Sequence, residues 1–135
     1  MTDRELIRIA IEARKAAYTP YSHFQVGAAL LAADGTVYTG CNVENAAYTP
    51  TNCAERTAFF KAVSEGKRDF TAIAIVAAPE GEPLRKTAPC GVCRQVMMEF
   101  CNPATFRIIS AASDEDFEVY TLEQLMPKGF GPSDL

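Results

Sequence analysis

No apolar run in the 135 residues approaches the ~20 that a membrane-spanning helix needs. The opening Met1-Thr2-Asp3-Arg4-Glu5 has no apolar signal core behind it. Low-complexity tracts and internal repeats are missing as well. Cations are in deficit: Lys+Arg number 13 against 17 Asp+Glu, a formal charge of -4. That balance argues against a polynucleotide or an anionic membrane surface as partner, since both reward clustered basic residues. Histidine occurs once, as His23, and cysteine 5 times, an odd number. Without a secretion signal, such cysteines are expected as reduced thiols or metal ligands, not as a disulfide framework. The expected compartment is the cytoplasm. What is present is ordinary for a globular protein: 48% hydrophobic and 22% charged residues. The length suits a single domain, residues 1–135, with a real apolar core.

Along the chain, Thr2 with Glu5 reads as a capping box, and apolar residues from Leu6 to Ala17 recur at helical spacing. Pro20 ends that helix or follows its end closely. Phe24 to Ala33 and Thr36 to Asn42 flank Asp34-Gly35, the signature of a β-hairpin. Asn42 to Asn52 reads as loop. Cys53 to Ser64 has helical character and Phe70 to Ala77 is a buried strand. Pro79, Gly81, Pro83 and Pro89 mark a long loop before a second helix, Cys90 to Phe100. Strands at 106–111 and 117–120, a brief helix at 122–126 and an irregular tail complete the chain. This order predicts an α/β fold, a three-layer α/β/α sandwich with a mixed sheet of about five strands.

Two short segments carry the chemistry: Asn52-Cys53-Ala54-Glu55-Arg56 and Pro89-Cys90-Gly91-Val92-Cys93-Arg94. Each opens a helix, where the dipole and free N–H groups favour thiolate. Three thiolates leave one position open on a tetrahedral zinc. Glu55 either ligates or faces a water there. Alone, Cys90-x-x-Cys93 reads equally as a redox pair or half of a structural zinc site. Zinc with three thiolates carries one net negative charge, which makes it a weaker acid-former for water than a neutral-ligand site. A guanidinium on the sulfurs offsets this, and Arg56, three residues beyond Cys53, is placed to reach. Taken alone, Arg56 reads as a solvated surface arginine. Gln95 is placed for similar work beside the ligands.

With these residues the chain resembles the cytidine deaminases of the small, homotetrameric zinc type. The resemblance covers nearly the whole length, through Tyr21 to Ala29, Gly40 to Tyr48, Cys53 to Ala58 and Pro89 to Gln95. Cys53 stands where other deaminases carry a histidine, which marks the three-cysteine branch. The segment between Gly66 and Pro89 is somewhat longer than in familiar members.

The resemblance implies that Cys53, Cys90 and Cys93 bind one Zn2+ per subunit and that Glu55 is the proton shuttle. It implies that Phe24 packs on the pyrimidine, Asn42 and Glu44 bond the ribose hydroxyls, and Ala54 helps hold the base. Tyr48 and Phe130 are implied to complete a neighbouring subunit's pocket. Read without it, Phe24 is core, Asn42 and Glu44 are a turn and a solvated carboxylate, and Tyr48 and Phe130 cover the core edge. His23 reads as a surface or interface residue, and Cys41 and Cys101 as small buried hydrophobes.

The implied reaction is hydrolytic deamination of cytidine and 2′-deoxycytidine to uridine and 2′-deoxyuridine with release of ammonia, in pyrimidine salvage. A carboxylate facing the sugar suits a free nucleoside and repels a phosphate. Two rivals stand beside this reading. One is a related deaminase of a nucleoside-like antibiotic (the blasticidin S type) or of another aminated base. The other is a four-cysteine structural zinc site recruiting Cys41 or Cys101, in which Glu55 has no purpose.

Overall fold

The computed structural model describes residues 1–135. Helix α1 (Asp3–Arg14) begins at the expected box: Thr2 accepts from the Glu5 amide and Glu5 from the Thr2 amide. It stops earlier than the apolar spacing predicts. Lys15, Ala16 and Ala17 bond three residues back, tightening the last turn, and Tyr18 then pairs with Val43. Strands β1 (Phe24–Ala32) and β2 (Val37–Cys41) form the hairpin, with Gly35 at φ 91° in its turn, a conformation that favours glycine. Helix α2 (Ala54–Ser64), strand β3 (Phe70–Pro79), helix α3 (Gly91–Phe100) and strand β4 (Arg107–Ala111) follow. Strand β5 (Phe117–Thr121) leads into α4 (Leu122–Leu125), capped by Thr121 with Gln124, and one 3-10 turn, Pro132–Asp134, orders the tail.

The sheet runs β2-β1-β3-β4-β5, antiparallel except for the parallel pair β3–β4. The parallel pair needs a crossover, and α3 supplies it. Alternation along the strands sends side chains to two apolar layers. On one face Leu6, Ile7 and Ala10 of α1 pack on Ala29, Ala74, Val76 and Ile109. On the other, Ala58 and Phe59 of α2 and Cys93 and Met97 of α3 pack on Ala28, Leu30, Ile73 and Ile75. The result is the three-layer sandwich with a five-stranded mixed sheet.

Glycines let both layers come close. A Cβ on Gly27 would lie 2.2 Å from the Ala10 carbonyl oxygen, so α1 rests directly on the β1 backbone. A Cβ on Gly40 would lie 2.2 Å from the Ala54 carbonyl oxygen and 2.7 Å from the Ala58 nitrogen. Gly40 therefore fixes how near the first turn of α2 stands to β2. Arg14 closes the end of α1 by donating to the carbonyls of Gln25 and Ala78, each at 2.9 Å.

Two segments expected as plain loop carry pairing. Val43 bridges both Tyr18 and Asn52, and Arg85 bridges Ala77 at the end of β3. No helix is long and apolar enough to cross a membrane.

Candidate active site

The first turns of α2 and α3 meet on the same face of the sheet. Cys53 is the N-cap of α2 and Cys90 the N-cap of α3, both extended, and neither thiol caps its helix. Their sulfurs are thus free of the usual capping task and point at one another. Cys53 Sγ lies 3.7 Å from Cys90 Sγ, and Cys90 Sγ lies 3.5 Å from Cys93 Sγ. All three sulfurs fall within 4.8 Å of one another, and no other group of this kind occurs. A tetrahedral zinc with Zn–S bonds of about 2.3 Å sets its sulfurs about 3.8 Å apart. The donor set and its spacing therefore fit zinc. Cys41 and Cys101 lie outside the cluster. Burial raises both of those thiols, as suits small apolar residues rather than ligands.

Electrostatics agree with a cation site. A hydrogen bond from Cys93 lowers the Cys53 thiol to about 5 against its burial, and Arg56 helps. The same bond, with burial, holds Cys93 up as the donating thiol. Sulfurs that share protons in this way are deprotonated outright by a thiophilic dication. Arg56 Nη2 donates to Cys53 Sγ at 3.2 Å. Burial opposes the Arg56 charge, but bonds to Cys53 and Cys93 outweigh it and raise the group. Arg56 Nε is buried with no partner. This arginine is a half-buried companion of the sulfurs, not a solvated surface residue.

Glu55, in the first turn of α2, is only 4% exposed. Burial raises its carboxyl to about 7, with the neighbouring Cys53 charge adding to the effect. Ala54 beside it is fully buried. Below α2, Asn52 Nδ2 donates to Thr57 Oγ1 and Thr57 to the Cys53 carbonyl, which pins the turn that carries Cys53.

Phe24, half-buried, opens β1. Asn42 holds the strand there, its Nδ2 donating to the Phe24 carbonyl at 2.8 Å and its Oδ1 accepting from the Val26 amide at 2.9 Å. Glu44 accepts from the amides of Tyr21 and Ser22 and from the Ser22 hydroxyl, and the hydroxyl bond above all holds its carboxyl below the usual range. Both side chains flank Val43, on the segment that turns away from β2.

Tyr48 is 73% exposed, at φ 63°, with its ring edge-on to Tyr21. Phe130 is 59% exposed. Neither covers the core edge. A shallow hollow of about 270 Å³ lies between Tyr21, Glu44 and Tyr48. None of the surface hollows of the single chain includes Cys53, Glu55 or Cys90. His23 is exposed, 3.7 Å from Glu80 and remote from the metal group.

Gln95 departs from expectation. Its Nε2 donates to the Phe130 carbonyl at 2.9 Å, so it clasps the C-terminal tail and not the thiolates. Residues two apart on a helix do not share a face, and Gln95 is two beyond Cys93. Sequence reading also passed over Gly40 and Arg94. Arg94 donates to the Pro89 carbonyl at 2.8 Å and to the Leu125 carbonyl at 2.5 Å, holding the Cys90 turn against α4. A glycine inside a strand pattern was the available signal for the first; the second is a long-range contact with none.

The comparisons point the same way. A sequence model described as the cytidine and deoxycytidylate deaminase zinc-binding region matches residues 1–108. The cytidine deaminase of Sporosarcina psychrophila is 53% identical over 135 residues, covering 100% of this chain and 96% of that protein. The crystal structure of cytidine deaminase from Burkholderia pseudomallei superposes with a TM-score of 0.87 at 48% identity, over 96% of this chain and 100% of that one. That of Mycobacterium tuberculosis gives 0.81 at 37% identity, over 97% and 98%. With its three sulfurs at zinc spacing and a buried glutamate in the adjoining turn, the chain belongs to the zinc-binding cytidine and deoxycytidylate deaminase family.

Proposed function

We propose that the protein is a cytidine deaminase, converting cytidine and 2′-deoxycytidine with water to uridine, 2′-deoxyuridine and ammonia, a step of pyrimidine salvage. The observation that carries this reading is the buried Glu55 carboxyl beside three sulfurs spaced for zinc. Cys53, Cys90 and Cys93 are the proposed ligands of one Zn2+ per subunit. Zinc, when bound, supplies the Lewis acidity that makes a water nucleophilic near neutral pH.

The chain's own residues do the rest. Glu55 accepts a proton from water and delivers it to the ring nitrogen next to the amino-bearing carbon. It then takes the second proton from the oxygen added to that carbon and passes it to the departing amine, so the carbon exchanges its C–N bond for a C=O bond and ammonia leaves. Arg56 withdraws charge from the sulfurs through its bond to Cys53. Phe24 stacks on the pyrimidine, Ala54 holds the base through its backbone, and Asn42 and Glu44 turn toward the ribose hydroxyls. Glu44 already accepts from the Ser22 hydroxyl, the kind of donor that a sugar offers.

Residues 1–135 act in this reading as one deaminase domain. A homotetramer belongs to the same proposal, with Tyr48 and Phe130 closing a neighbour's pocket. Their exposure, and the absence of any hollow around the metal group in one chain, support it. The proposed setting is the cytoplasm.

Parallel assays with cytidine, cytidine 5′-monophosphate, guanine and blasticidin S test the substrate. The expected result is turnover of cytidine, with the monophosphate at least about tenfold poorer, because the Glu44 carboxylate repels phosphate. Turnover of guanine or blasticidin S with none of cytidine contradicts the reading.

A further inference from the structure

The segment after β3 brings a guanidinium to the aromatic ring at the start of β1. Arg85 Cζ lies 5.5 Å from the centroid of Phe24. Arg85 makes no ion pair, so the ring is the partner of its charge.

This placement follows from the backbone. The Arg85 amide donates to the Ala77 carbonyl, which adds a short bridge to β3 where β4 has already ended. Ala77 is itself paired with Val26. Residues directly opposite one another in a sheet share a face. Arg85, Ala77, Val26 and, two residues along β1, Phe24 therefore lie on one side. That side packs Val26 and Ala28 with Cys53 and Cys93, so it is the face of the candidate metal centre. The neighbours of Arg85 point elsewhere and anchor it. Leu84 packs on the α1 layer, and Lys86 pairs with Asp116 at 2.8 Å. The Thr87 carbonyl accepts from Ser110. Phe24 is fixed as firmly, by Asn42 on its carbonyl and Ser22 on its amide.

We propose that Arg85 is a positioning residue of the substrate pocket: its guanidinium holds the Phe24 ring in the orientation that receives the pyrimidine. This rests on the functional reading above, which places the pyrimidine on Phe24. A cation on an exposed aromatic face stabilises that arrangement enough to change an affinity about two- to fivefold.

The test is a double-mutant cycle on the zinc-loaded protein, with Arg85→Met, Arg85→Lys, Phe24→Leu and the Arg85→Met/Phe24→Leu pair. For cytidine, Arg85→Met should raise KM about two- to fivefold with kcat unchanged, and Arg85→Lys should keep most of the wild-type KM. In the Phe24→Leu background, Arg85→Met should change nothing further. An unchanged KM in Arg85→Met overturns the proposal, as does an equal rise when the ring is already absent. The same cycle read by thermal unfolding needs no substrate. If the wild type deaminates no cytidine, the functional reading fails by itself, and additive shifts in Tm would then remove the Arg85–Phe24 coupling as well.

Discussion

Glu55→Gln should give a folded, zinc-loaded protein whose kcat for cytidine is lower by about 10⁴-fold. Glutamine keeps the size of the buried side chain and its ability to hydrogen bond. It cannot accept a proton from water or pass one on. General acid–base catalysis contributes about 10²–10⁴ in rate, and one carboxyl serves two proton transfers here, so the loss belongs at the upper end. No substitute is at hand: His23 is exposed beside Glu80 and lies outside the metal group. Stability should hold or rise. At 4% exposure the carboxyl is costly to keep charged, and a neutral amide avoids that cost. Zinc content, thermal unfolding and kcat measured on one preparation check all three statements. Near-wild-type turnover in zinc-loaded Glu55→Gln contradicts the assigned role.

Gly40→Ala should damage the site from the other side of the helix. The added carbon would stand 2.2 Å from the Ala54 carbonyl oxygen and 2.7 Å from the Ala58 nitrogen. Both are backbone atoms, so no rotamer change relieves the clash. The first turn of α2 must move off β2, and with it Cys53, Glu55 and Arg56. Overpacking of this kind costs about 1–3 kcal/mol, and a clash against backbone places it at or above the upper figure. For a chain of this size that lowers Tm by roughly 10 °C. Zinc retention should fall in parallel, since one ligand is displaced against the other two. Gly35→Ala is the control: it has φ 91° but nothing within 4 Å, so it should cost about 1 kcal/mol and leave zinc binding intact. Equal Tm and zinc content in Gly40→Ala and wild type would show that the close approach does not set the site.

Much of this arrangement was legible beforehand because its signals are local. The box at Thr2, the Asp34-Gly35 turn and the unbroken apolar run of β3 each announce an element within a few residues. The cluster of Cys53, Cys90 and Cys93 is legible because these residues cap or open two helices at fixed spacing. Arg56 was legible because three residues along a helix is one turn, close enough to reach Cys53.

What was hidden depends on distant pairing. Ala16 and Ala17 keep a helical rhythm, but the chain leaves α1 to let Tyr18 meet Val43. Arg85 sits in a stretch marked only by prolines and glycine, and nothing there predicts its bridge to Ala77. Proximity in sequence puts Gln95 beside the metal group, whereas its face of α3 meets the tail.

The most direct measurement of the central claim is a cytidine absorbance assay on protein as purified, after chelation, and after zinc is returned. Three thiolates at zinc spacing predict that turnover disappears with the metal and recovers with one zinc per chain. Circular dichroism recorded alongside must show the chelated protein still folded, so that loss of activity reports the site. Undiminished deamination by folded, zinc-free protein would contradict the account.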